Sequence, residues 1–148
     1  MSEAKIIDLI ERSDCRTTPS TGLPKDLSLP SDLAAFYRRY GSAVIHSTQP
    51  YPYAIQSAQH LERSDFAVLG EDLDDPDSAG WHVLVRCADQ IISVELKAGP
   101  RFGYCYDSFW DSYPTADEST LVAKSFTELL ERMIACGGKR LFWIPGHD

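Results

Sequence analysis

Four short blocks, fixed in order, constrain the fold of this chain more than any other feature of it. The first opens at Leu29-Pro30 and carries Leu33, Phe36, Tyr37 and Tyr40 three and four residues apart before Gly41. That spacing is the period of one helix face. The second block begins at Trp81, and its partner runs from Ile91 to Leu96. The third is an aromatic run, Phe102-Gly103-Tyr104-Cys105-Tyr106-Asp107. The fourth, Ser125-Phe126-Thr127-Glu128-Leu129-Leu130, returns to helical spacing. Strands close in sequence and joined by short turns pair antiparallel. The order therefore predicts an α+β domain, an antiparallel β-sheet meander flanked by helices.

Around these blocks the pattern fills in. Ser2 is placed to cap a first helix bearing Ile6, Leu9 and Ile10 on one face, with Ile7 beside it. Arg16 to Pro30, rich in Thr, Pro, Ser and Gly, reads as a long ordered loop. Ser31 or Asp32 is expected to cap the next helix, and Gly41 to close it as a left-handed C-cap. Ala43–His46 and Tyr53–Ile55 read as short strands, and Ser57–Arg63 as a brief helix with Leu61 inward. Phe66–Leu69 suits a buried strand, although periodicity alone does not separate it from a helix. Glu71–Ala79 is a loop. Trp81, Val83, Val85 and Cys87 then alternate with His82, Leu84 and Arg86 in a mostly regular period of two, and Phe102–Asp107 is expected to return as a third strand of the meander. In the closing helix Ser125 and Glu128 form a capping box, and Phe126, Leu129, Leu130, Met133 and Ile134 make the apolar stripe. Gly137-Gly138 stops it, and Leu141-Phe142-Trp143 adds a last edge strand or tether.

A chain of 148 residues fits one domain, 1–148, with room for a real core. Its net charge is −8, and the acidic residues are clustered. Between Ser64 and Val85 there is no Lys or Arg, while Asp65, Glu71, Asp72, Asp74, Asp75 and Asp77 crowd together. A second stretch without basic residues, Phe102 to Ala123, holds Asp107, Asp111, Asp117 and Glu118. Such a surface repels nucleic acid and membranes and attracts basic proteins. No apolar run approaches the ~20 residues of a membrane span. The N-terminus lacks the pattern of a secretory signal, so a cytoplasmic location is expected. Cys15, Cys87, Cys105 and Cys136 stand far apart and read as reduced thiols.

Motifs that would carry chemistry do not assemble. The cluster Asp72-x-Asp74-Asp75-x-Asp77 fails as a calcium loop, because Pro76 and Ala79 fall where ligands belong. His46, His60, His82 and His147 share no metal-ligand spacing. No nucleophile elbow, P-loop or dinucleotide fingerprint occurs. Hence no catalytic residue, metal or cofactor is expected. Tyr104 and Tyr106 share one face of their strand; the rings are either core or an aromatic binding pair beside Asp107, and spacing leaves both open. Tyrosine and tryptophan next to carboxylates make a good protein-binding surface.

Taken in order, these blocks resemble the Smi1/Knr4 family of the SUKH superfamily. The matching residues are Leu29-Pro30 through Tyr40-Gly41, Trp81, Ile91-Ile92, Gly103-Tyr104-Cys105-Tyr106-Asp107 and Ser125 to Leu130. The likeness covers roughly residues 22–145. It departs from many relatives in having Tyr40 where Asn precedes the helix-ending glycine, and Ser108-Phe109 after the strand's aspartate. The resemblance implies an α+β fold without catalytic residues. For bacterial members it implies an immunity protein that neutralises a polymorphic toxin, often a nuclease, by stoichiometric binding. For fungal relatives it implies a scaffold or regulator of cell-wall assembly or signalling. On the first reading Asp72, Asp74, Asp75 and Asp77 steer a basic toxin, while Trp81, Tyr104, Tyr106 and Asp107 contact it.

Overall fold

The computed structural model describes residues 2–12, 15–24, 28–46, 48–49, 52–61, 80–87, 90–107 and 121–136. Within them the apolar blocks converge on one antiparallel sheet. Its strands are β1 (Cys15–Pro19), β2 (Tyr40–Ile45), β3 (Tyr53–Ile55), β4 (Trp81–Cys87), β5 (Gln90–Glu95), β6 (Cys105–Asp107) and β7 (Leu121–Ala123). They lie side by side in chain order, so the whole seven-stranded sheet is a meander. The helices are α1 (Ser2–Arg12), α2 (Ser31–Arg39) and α3 (Phe126–Cys136), with a short 3₁₀ turn at Ala58–His60. None of them is long and apolar enough to cross a membrane.

All three helices share one core with one face of the sheet. Register shows which residues supply that face: Ala43 opposite Ile55, Ile55 opposite Val85, Val85 opposite Ile92 and Val94 opposite Cys105. Against them pack Ile6 and Ile10 of α1, Leu33, Phe36 and Tyr37 of α2, and Phe126, Leu129, Leu130 and Met133 of α3. Phe36 sits at the centre, with ring centroids 5.2 Å from Tyr37, 5.5 Å from Tyr40 and 5.3 Å from Phe126. Tyr37 is fully buried and its hydroxyl donates to the Gln56 carbonyl at 2.5 Å; burial pushes the phenol well above its ordinary value. That bond ties α2 to the end of β3.

Several sequence expectations need correction. The start of the expected Arg16–Pro30 loop is strand β1, an exposed edge strand paired with β2. Gly41 is not a left-handed cap. Its backbone continues into β2, and glycine is required because a Cβ there would stand 2.4 Å from the Pro19 carbonyl oxygen. Close approach of β1, rather than turn geometry, explains the residue. The helix before it has Pro30 at its N-cap and no side-chain cap. Asp32 instead reaches another helix: one carboxylate oxygen accepts from Leu33 N at 2.8 Å, the other from Thr127 N at 2.8 Å and Thr127 Oγ1 at 2.9 Å. A buried aspartate thus caps the start of α3 from α2. The capping box itself forms in part: Glu128 N donates to Ser125 Oγ at 3.0 Å, and Glu128 Oε1 accepts from Lys124 N at 3.2 Å.

The strand expected from Phe102 starts only at Cys105. Residues 99–103 turn instead, with Phe102 N donating to Gly99 O and Gly103 at φ 91°, in the left-handed region that favours glycine. The expectations for Phe66–Leu69, Glu71–Ala79, Gly137-Gly138 and Leu141–Trp143 lie outside the described residues.

Candidate protein-binding face

A single irregularity in β4 decides where Trp81 points. Opposite β5 the register runs Val83–Ser93 and then Val85–Ile92, so Leu84 is an extra residue. Such a bulge reverses the alternation of the strand. Val85 and Cys87 enter the helical core, while Trp81 and Val83 turn to the opposite face. Sequence alternation alone had set all four in phase.

On that second face the aromatic residues meet. Tyr106 lies opposite Ser93, and Ser93 lies opposite Val83. The small, fully buried Ser93 leaves room above β5 for rings from both sides. Trp81 and Tyr106 stack across it, centroids 4.6 Å apart and planes within 10°. Tyr104 continues the row, 6.5 Å from Tyr106 and tilted by 43°. The two alternatives for these rings are therefore both realised in part. Trp81 is 1 % exposed and Tyr106 5 %, whereas Tyr104 is only half-buried.

Glu95 stands among them, paired with Trp81 across the β4–β5 ladder. Its backbone N–H donates to Tyr104 O, and its carbonyl accepts from Gly103 N, both at 2.8 Å. Its side chain is buried, and burial raises the carboxyl above its ordinary value. The Lys97 amide, the charges of Arg101 and Lys97, and the Trp81 indole all pull it back. Tyr106 is raised too, mainly by burial, with the exposed Arg101 opposing. Glu95, Ser93 and Arg101 were not singled out from the sequence. The available signal was Ser93 and Glu95, two polar residues two apart following the apolar Ile91-Ile92.

Asp107 does not join this group. It pairs with Ile92, which puts it on the helical face at the end of β6. The acidic residues Asp72, Asp74, Asp75 and Asp77 lie outside the described residues.

Among the described residues no group of three or more His, Cys, Asp or Glu could hold a metal ion. Cys105 is fully buried; burial first, then Asp32 and Glu128, drive its thiol far above the ordinary value. A thiol so placed does not supply a thiolate nucleophile. Ser57 Oγ and His60 Nδ1 are 2.5 Å apart at the entry of the 3₁₀ turn, a local contact three residues long.

Comparison with known proteins decides the family. The chain is 32% identical over 138 residues to the immunity protein YokJ of Bacillus subtilis (strain 168). That alignment covers 89% of this chain and 82% of YokJ. The chain belongs to the YokJ family. An alignment of this extent makes the YokJ likeness one of most of both sequences rather than of a local motif. No protein-family profile matches the chain.

Proposed function

We propose that this chain is a single-domain, non-enzymatic immunity protein that neutralises a basic toxin by stoichiometric binding in the cytoplasm. The likeness to YokJ across most of both chains carries this reading, because YokJ is named an immunity protein. The resemblance to the SUKH and Smi1/Knr4 proteins supports it independently, through the order of the four sequence blocks. Charge supports the choice of partner. At −8, the chain offers carboxylates where a nucleic-acid-cleaving toxin would otherwise meet phosphates.

Two groups divide the work. Asp72, Asp74, Asp75 and Asp77 steer the encounter. Tyr104 makes contact, backed by the stacked Trp81 and Tyr106; Asp107, buried on the helical face, does not share that surface. A half-buried tyrosine set beside the buried Tyr106 ring is pre-ordered, so little side-chain entropy is lost when it is covered.

The test is a pull-down from the native host with tagged protein, at low and at high salt. A single basic protein that elutes with salt, and whose toxicity this chain abolishes, is the expected result. Recovery of cell-wall enzymes or signalling proteins would overturn it in favour of a regulator.

A further inference from the structure

The second sheet face contains one group that contact by Tyr104 does not use. Glu95 is 6 % exposed, and its Oε2 atom is buried with no hydrogen-bond partner among the described residues. Oε2 lies over Gly80: a Cβ built there would stand 2.4 Å from it. Trp81 and Tyr106 lie beside the carboxylate, and the exposed Arg101 acts on it without an ion pair among the described residues. The Lys97 amide and the Trp81 indole stand near enough to favour the charged carboxylate but make no formed hydrogen bond to Oε2, and a carboxylate oxygen kept from water on those terms destabilises the folded chain. A partner that supplies the missing donor recovers that cost on binding.

Building on the immunity reading, we infer that Glu95 is a recessed anchor for an arginine side chain of the partner toxin. Arginine fits better than lysine. Its planar guanidinium stacks on an aromatic ring while donating to a carboxylate, and it is the more weakly hydrated cation. Arg101, at the surface of the 99–103 turn, is the intramolecular cation that an incoming arginine displaces. Side-chain changes of this size are common when interfaces form.

The inference is tested without the toxin. N-acetyl-arginine methylamide is titrated into ¹⁵N-labelled protein at neutral pH while the Trp81 indole resonance, assigned with Trp81→Phe, is followed. A saturable shift is expected in the wild type. It should need about tenfold more ligand in Glu95→Gln, through loss of a charge-assisted bond. It should need less ligand in Arg101→Ala. The neutral citrulline analogue should give no shift. No saturable shift, an equal response to citrulline, or identical titrations of wild type and Glu95→Gln would overturn the inference. An equal response to the lysine analogue would overturn the choice of arginine. Should Glu95→Gln fail to fold, the Arg101→Ala comparison still decides, since unchanged affinity there contradicts displacement. Failure of these titrations leaves the immunity reading untouched, and absence of a toxic partner leaves the titrations readable.

Discussion

At the residue scale the telling group is Glu95, a buried acid whose ionisation the fold opposes. The sign of its effect on stability follows from linkage. Its native value is raised, so the folded state holds the proton more tightly than the unfolded one. Below the ordinary glutamate value of 4.5 both states are protonated and no cost is paid. As pH rises from there through the raised native value, stability is lost. Urea unfolding of wild type and Glu95→Gln across this window should show the wild type falling away relative to the variant. A constant difference would contradict the assignment. Tyr104 and Trp81 make a second contrast. Tyr104→Ala should leave the melting temperature nearly unchanged yet weaken partner binding by ~2 kcal/mol, the scale of an interface hot spot. Trp81→Ala should cost ~3–5 kcal/mol of folding stability, as other core Trp truncations do. Denaturant titration and calorimetric binding separate the two. The stacking of Trp81 on Tyr106 comes from the structure, whereas the sequence set only Tyr104 and Tyr106 on one strand face. It could not show which ring is exposed, because a bulge at Leu84 leaves no mark in an apolar strand.

At the element scale, contacts distant in sequence decided what local patterns could not. The stripe of α3 and its Ser125 cap were readable, since both depend on residues three and four apart. Asp32 was readable only as a local cap, and Gly41 only as a helix stop. Their actual partners are Thr127, ninety-five positions away, and the Pro19 carbonyl on β1. Asp32→Ala should therefore lower stability by ~1–2 kcal/mol by uncapping α3, although the substitution lies in α2. Hydrogen exchange should show the loss at the Thr127 amide as well as at Leu33. Protection lost at Leu33 alone would contradict the clamp. β1 was missed for the same reason: Thr-Thr-Pro reads as loop, and only its ladder with β2 makes it a strand.

At the scale of the whole molecule, meander and charge act together. The sheet presents helices on one face and the aromatic row on the other. On the proposed reading, a net charge of −8 draws a basic toxin from a distance. Replacing Asp72, Asp74, Asp75 and Asp77 by Asn should slow association and flatten its salt dependence while leaving dissociation nearly unchanged. Stopped-flow mixing at several ionic strengths measures both rates. An effect confined to dissociation would move these residues from steering to contact.

The central claim, neutralisation by stoichiometric binding, is tested most directly by titrating toxin activity against this chain. Residual activity of the captured toxin is measured as the molar ratio rises, at toxin concentrations well above the dissociation constant. Activity should fall linearly and vanish at a fixed ratio of small whole numbers. Activity surviving a large excess would contradict binding as the mechanism. Loss at ratios far below stoichiometric would reveal turnover, and the chain would then be an enzyme.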